Sequence, residues 1–559
     1  MDKMKKTKEA GARFAWGVLF LTVSNVLTKL CGLFLRVPLT NMLGDTGMAY
    51  FNLAYAVYKW FYMISTAGLP VAAAVLCAQY AHDTDDPARR SANLRRVCTV
   101  TLAAFFTLGA LGAILMALGA DQLAALQHAP RAAEATAALA PALFCICISS
   151  ALRGFYQGLS CQLPAAVAQV VEAAFKTICG LALGVLSMRR GDPIHIVAAH
   201  AISGLSVGCL CSMLVMLCAY PVVARVHGIG RSRERASVRA AVSRGEVLRA
   251  LLRAAVPITL SASVMSLCDM TDSMTVIRRL CAAGVSAGDA LAQYGSYTAL
   301  AVPMFNLPPI LIYPVTTALL PVLSSARRSR ESFARIARGA VLLTVTLAMP
   351  CSAGMAILAK QILRLFYRAE LCADAAPLLA LLSPAIFFLS LLAITNVILQ
   401  AAGAARYSLY SMLLGAAVKI TSSVILCGMP FFGIRGVPLS TVLCYAVMAL
   451  CNAGFVLRKL DMRLPFASLL LRPGLASLFC AVSARAALAL PCFSGRWAVF
   501  AAIAIGGAVY LAVLYALGGC DPALLSLIGG GRLGGNRRTR VSKKAQALGS
   551  ATLAEKSIS

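Results

Sequence analysis

Polar and charged side chains recur within long apolar runs of this chain, where a charge at the centre of a membrane helix costs about 2.5–3.5 kcal/mol. In the first run Asn25, Lys29, Gly32 and Arg36 fall at intervals of three and four and share one helical face. In the second, Asn52, Tyr55, Lys59, Tyr62 and Thr66 form another such stripe. Stripes of this kind line water or a polar ligand, although interhelical hydrogen bonding and snorkelling produce them too, for Arg36 beside Pro38 above all. Glu172 and Lys176 stand one helical turn apart and are placed to neutralise each other, while Lys419 lies in a later run. Asp269 and Asp272 precede Arg278 and Arg279. Carboxylates at membrane depth are candidates for coupling to H+ or Na+, and neutralisation by the arginine pair is the competing role, expected of Asp272. Asn306 and Tyr313 sit among Pro303, Pro308, Pro309 and Pro314, a pattern that frees backbone carbonyls and suits a hinge or lateral gate. Lys29, Arg36, Lys59, Lys176, Lys419 and Arg278 outnumber Glu172, Asp269 and Asp272, so a cavity lined by them favours an anion.

The runs that carry these residues determine the class of protein. Of 559 residues 60% are hydrophobic and only 13% charged, and mean hydropathy is +0.80. Soluble chains carry about 25% charged residues, so the deficit here requires lipid as solvent. Uncharged runs recur from Phe14 to Leu517, which excludes a soluble enzyme with a single anchor. The excess of 51 Lys and Arg over 21 Asp and Glu would suggest nucleic acid in a soluble protein. In a polytopic one it reflects basic cytoplasmic loops, and no nucleic-acid partner is expected. The 20 Cys lie mostly in apolar runs, and five His form no ligand motif, so neither a disulfide framework nor a metal site is expected. No phosphate-binding G-x-x-x-x-G-K-[ST] or catalytic triad pattern occurs, so enzyme activity has no support and no cofactor is implied.

The pattern predicts an all-α polytopic membrane protein with about fourteen spans by the ~20-residue criterion. Six lie in an N-lobe over 1–225 and six in a C-lobe over 251–458, joined by a basic cytoplasmic linker at 226–250. Two more spans occupy 459–518, and a basic tail fills 519–559. With both termini cytoplasmic, roughly 35 of the basic residues fall inside and roughly 10 outside, as the positive-inside rule requires. The two halves share residues at constant offset. Pro141 and Pro384, Gln157 and Gln400, and Lys176 and Lys419 are each 243 positions apart. Gly44 and Gly295, and Leu69-Pro70-Val71 and Leu320-Pro321-Val322, are 251 apart. Repeats with an even number of spans share one orientation, so their pseudo-two-fold axis runs along the membrane normal.

Three segments carry a family resemblance. The stretch from Thr28 to Ala72 resembles the opening of the stage V sporulation protein B and polysaccharide-biosynthesis branch of the multidrug/oligosaccharidyl-lipid/polysaccharide flippase superfamily. Arg153, Gly154, Gln157, Gly158, Pro164, Gln169 and Glu172 match its R-G-x-x-Q-G…P…Q…E segment, and the runs from Val256 to Leu280 and from Tyr294 to Ser324 continue it. The resemblance implies a two-lobed flippase of the plasma membrane, related to lipid II flippases. It would move an undecaprenyl-pyrophosphate-linked oligosaccharide or peptidoglycan precursor by alternating access, among membrane lipids and in company with cell-wall synthesis proteins. The alternatives are a cation-coupled multidrug exporter of the same fold and a non-transporting scaffold for cell-wall synthesis.

Overall fold

Uninterrupted apolar sequence with few helix breakers folds almost entirely into helices, because in lipid every backbone N–H and C=O must be satisfied within the segment. The computed structural model describes residues 2–82, 86–229, 242–312, 316, 319, 322–324, 326, 329–460, 467–489, 495 and 497–518, and side chains from Ser24 on apart from Asn25, Val26 and a few others. The basic tail, most of the linker, Tyr313 and Pro314 lie outside the described residues. The first half contains α1 (Asp2–Thr66), α2 (Leu69–His82), α3 (Pro87–Leu118), α4 (Ala120–Leu126), α5 (Ala133–Ala138), α6 (Ala140–Gly158), α7 (Leu163–Arg189) and α8 (Ile194–Val226). The second contains α9 (Arg244–Ala282), α10 (Ala287–Gly295), α11 (Val302–Phe305), α12 (Arg330–Ile357), α13 (Ala359–Phe366), α14 (Cys372–Leu382), α15 (Pro384–Ala401), α16 (Ala405–Gly428) and α17 (Gly436–Leu460). A final hairpin, α18 (Arg472–Ala487) and α19 (Ala498–Ala516), packs on α12, where the Tyr510 hydroxyl donates to Thr346 O at 2.7 Å.

Eleven stretches among the described residues are long and apolar enough to span a bilayer, twelve if the two arms of α9 count as one. Four of the fourteen expected spans account for the difference of three. The first two merge in a continuous stretch from Leu27 to Ala81, 55 residues long. At 1.5 Å per residue that is about 80 Å, more than twice a hydrocarbon core. It breaks at Gly44, whose φ of 68° suits a residue without Cβ. The seventh is bent by 49° between Arg244–Leu260 and Ala262–Ala282. The eighth is fragmented into a π-helical segment at Ser296–Ala301, the single turn α11 and a 3-10 turn at Pro308–Leu311. Prolines at 303, 308 and 309 remove successive helix N–H donors, which is why a regular helix does not form there.

The two halves meet at one end of the bundle, the end that carries the turns at Gly44, Gly191, Gly284 and Gly433. A single buried core there takes Leu35, Leu39, Leu43, Met48 and Leu53 from the first half and Ile277, Leu280, Leu291, Leu379 and Ile386 from the second. Gly295 packs there against the chain just after its repeat-related partner Gly44. A Cβ on Gly295 would stand 1.9 Å from the Asp45 carbonyl oxygen, so the close approach admits only glycine. Asn41 adds a clamp, donating to Phe366 O and accepting from the Arg368 amide, both at 3.0 Å. Toward the other end the cores separate, one in the first half around Phe105, Phe155 and Tyr156, another in the second around Leu323, Phe333 and Val345. The first arm of α9 belongs to the former through Val247, Leu251 and Ala255, and the Arg96 guanidinium donates to Val242 O at 3.0 Å.

Candidate functional site

Between the separated cores and the sealed end lies a cavity of about 360 Å³ walled by both halves. The helical stripe of α1 supplies Asn52, Tyr55 and Lys59, and Arg36 reaches in from beyond the Gly44 break. The second arm of α9 presents Cys268, Asp269 and Asp272 on one face. Tyr294 at the end of α10 and Tyr297, Thr298, Phe305 and Asn306 of the broken eighth segment add to it, and Lys419 on α16 with Thr441 and Tyr445 on α17 completes the wall.

Arg36 bridges the halves. Its Nη2 donates to Asn52 Oδ1 at 3.0 Å and to Thr298 O at 2.8 Å, and Asn52 Nδ2 donates to Thr298 Oγ1 at 3.2 Å. The π-helical geometry around Thr298 leaves that carbonyl free to accept. Arg36 Nε is buried with no hydrogen-bond partner, on a side chain that lines this cavity and a smaller one beside it.

Two ion pairs occupy the wall, and they differ in kind. Lys59 Nζ meets Asp269 Oδ2 at 2.5 Å across the halves, with the two side chains 42% and 46% exposed. Lys419 Nζ meets Asp272 Oδ2 at 2.7 Å with exposures of 6% and 13%. The second pair is fully satisfied: Lys419 also donates to Ser440 Oγ at 2.9 Å and Thr441 Oγ1 at 2.8 Å, and Ser423 Oγ donates to Asp272 Oδ1 at 2.9 Å. The first is a half-exposed contact across the halves, the second a buried pair within the second half.

Several sequence expectations change here. Asp272 does not neutralise Arg278 and Arg279, which are exposed away from the cavity; its partner is Lys419, more than a hundred positions away on α16. Glu172 and Lys176 share a helix but form no ion pair among the described residues. Lys176 instead lines a side cavity of about 130 Å³ with Gly32, Arg36 and Tyr55, and Glu172 is half-buried near it. Lys29 is exposed on α1 outside the cavity wall, and the Asn25 side chain lies outside the described residues. Asn306 lines the cavity, its Nδ2 donating to Val302 O at 2.9 Å. The cationic excess counted along the sequence therefore shrinks. Three cations, Arg36, Lys59 and Lys419, face two carboxylates, Asp269 and Asp272. Thr298, Tyr297, Ser423, Ser440 and Thr441 were not singled out from sequence, because an isolated hydroxyl in an apolar helix carries no periodic signal. The requirement that a buried lysine find oxygen partners is the only hint of the last three.

A cavity shared by two repeat-related helical lobes, with a cation bonded across them, is the geometry of a transporter, and the family model for polysaccharide biosynthesis proteins matches residues 14–327. The chain belongs to that family. Among its relatives is the stage V sporulation protein B of Bacillus subtilis (strain 168), 23% identical over 454 residues that cover 80% of this chain and 84% of that protein. The lipid II flippase MurJ of the same organism is 24% identical over 539 residues, 90% of this chain and 95% of its own. A solved structure of the lipid II flippase MurJ in an inward closed conformation superposes with a TM-score of 0.64 at 15% identity, covering 89% of this chain and 98% of that one, which establishes the shared fold. The family member described here is thus an all-α, multi-pass membrane protein of the flippase and transporter class.

Proposed function

We propose that this chain flips a diphosphate-linked glycan lipid across the plasma membrane by alternating access. The observation that carries the proposal is Arg36, placed where both lobes meet, with a buried donor that has no partner, on the wall of a cavity whose other half-exposed cation is Lys59. Guanidinium and ammonium groups at that depth suit a phosphate oxygen. The aromatic and amide side chains of Tyr55, Tyr445 and Asn306 suit sugar faces and hydroxyls, while the isoprenoid stays in lipid. Carrying such a headgroup bare through hydrocarbon would strip its charges and hydroxyls of water, and a polar cavity that opens alternately to each side avoids that cost.

The Lys and Arg bias assigns both termini, the linker and the separated end of the bundle to the cytoplasm, so the end sealed around Gly44 and Gly295 faces outward. Rocking of residues 1–225 against 251–458 would part that seal and close the inner side, with H+ or Na+ as the coupling ion and no other cofactor. A cation-coupled multidrug exporter of the same fold should prefer carboxylates over Lys and Arg in its cavity, and here three cations face two carboxylates. A scaffold for cell-wall enzymes needs no charged cavity.

The test is reconstitution in liposomes with fluorescent lipid II and with an unrelated diphosphate-linked glycan, scoring headgroups protected from an outside reagent. Protein-dependent protection of either supports a flippase. Protection of neither, together with drug efflux from the same vesicles, overturns it in favour of the exporter.

A further inference from the structure

The cavity and the headgroup proposed for it differ in charge by one. Arg36, Lys59 and Lys419 against Asp269 and Asp272 leave a net charge of +1. Lys176 in the side cavity adds nothing to that sum, since Glu172 lies one turn away on the same helix. A diphosphate joined to a sugar at one end and an isoprenoid at the other carries two negative charges, so its complex with the cavity would hold one uncompensated negative charge at membrane depth.

Only one group in the wall is placed to absorb that charge. The Lys419–Asp272 pair is locked by Ser440, Thr441 and Ser423, and neither partner can leave without stranding the other. Lys59 and Asp269 are each nearly half exposed to the cavity and belong to different lobes. Lys59 carries a compact ammonium on a flexible stem and can turn to a phosphate oxygen. Asp269 would then face Tyr55 from α1, Tyr294 from α10, Tyr297 from the eighth segment, Cys444 from α17, its own neighbour Asp272, a Lys419 already committed to Asp272, and an Arg36 already bonded to Asn52 and Thr298. None of these supplies a free positive charge. A carboxylate left beside a second carboxylate, with no cation of its own, is stabilised by taking a proton.

We infer that a diphosphate-linked headgroup binds together with one proton, which Asp269 takes up as Lys59 turns from it to the diphosphate. The charges then sum to zero: +1 from the wall, +1 from the proton and −2 from the ligand. The proton comes from water in the open cavity, and no covalent bond to the ligand forms or breaks. A monophosphate-linked lipid, with one negative charge, is matched by Arg36 alone and needs no proton. Asp269 thus sets how many charges the cavity accepts. The inference rests on the flippase reading above.

The experiment is calorimetric titration of the full chain in lipid nanodiscs with a short-chain isoprenyl diphosphate disaccharide and with its monophosphate counterpart, in buffers of different ionisation enthalpy. The diphosphate is expected to take up one proton per molecule bound, with affinity falling about tenfold per pH unit as pH rises wherever a full proton is taken up. The monophosphate is expected to bind with no uptake. In Asp269→Asn the diphosphate should bind with no uptake and no pH dependence. Diphosphate binding by the wild-type chain without proton uptake, or uptake that persists in Asp269→Asn, overturns the inference while leaving the flippase reading intact. Binding of neither lipid overturns both. The wild-type measurement decides the matter even if the variant fails to fold.

Discussion

The two lysine–aspartate pairs line one cavity yet should differ sharply in what their loss does to the folded protein. In Asp272→Asn the side chain keeps its shape but loses its charge, and Lys419 keeps Ser440 and Thr441 while its ammonium stands uncompensated at 6% exposure. Removing one partner of a buried pair costs about 3–5 kcal/mol. Asp269→Asn breaks a contact of nearly the same length, but both side chains sit more than 40% exposed. Solvent screens that pair, and its loss should cost about 0–1 kcal/mol. The gap of at least about 2 kcal/mol is roughly a thirtyfold difference in the folded-to-unfolded ratio. Replacing both members of the buried pair, as in Asp272→Asn with Lys419→Met, removes the stranded charge and should recover much of the loss, for a coupling energy of about 2 kcal/mol. Reversible unfolding in mixed micelles, followed by circular dichroism across the four members of the cycle, measures each quantity. Additive single-variant losses, or an Asp269→Asn loss as large as that of Asp272→Asn, would refute this account of the cavity wall.

Three further outcomes are expected. Lys59→Ala should abolish most flipping while membrane insertion is preserved or improved, since a membrane-depth charge costs about 2.5–3.5 kcal/mol to insert, whereas Lys29→Ala should leave headgroup binding near wild type; flipping assays paired with membrane yield separate the two. Gly295→Ala drives a Cβ to 1.9 Å from the Asp45 carbonyl and, at about 1–3 kcal/mol of overpacking, should shift the protein toward outward opening; a thiol placed at Tyr55 would then label faster from outside, and unchanged labelling rules the contact out as a gate. Single cysteines at Asp45 and Arg190 should react with an impermeant reagent on sealed cells, while those at Arg89 and Ser237 should not, and reaction at Ser237 would invert the topology.

What could be read in the sequence follows from what a helix encodes locally. The period of 3.6 residues places Asn52, Tyr55 and Lys59 on one face, and the same rule places Asp269 and Asp272 on the inner face of α9, so the cavity wall was legible wherever its residues sit on regular helix. The prolines marked the eighth segment as irregular, and the repeat singled out Gly44 and Gly295, the second of which packs across the lobes on Asp45, the residue after the first. Pairing was not legible. Lys59 and Asp269 are 210 positions apart, and Asp272 had an arginine pair six and seven residues on that looked like the nearer partner.

The repeat also hides the difference that gives the cavity its direction. Lys176 and Lys419 are equivalent by offset, and shape alone would give them equivalent surroundings. In the second lobe α9 brings Asp272 to Lys419 and buries the pair. In the first lobe α1 carries no Asp or Glu between Glu9 and Asp45, and Glu172, one turn from Lys176 on the same helix, forms no ion pair with it among the described residues. Lys176 therefore stays open to the side cavity beside Arg36, and the lobe that keeps its cations is the one whose Arg36 and Lys59 reach across to the other. An anion that enters the cavity is drawn to the first lobe and in binding competes with Asp269, one of the contacts that tie the lobes together. Occupancy thus acts on an inter-lobe bond, which is the differential contact that any ligand-driven change between two states requires.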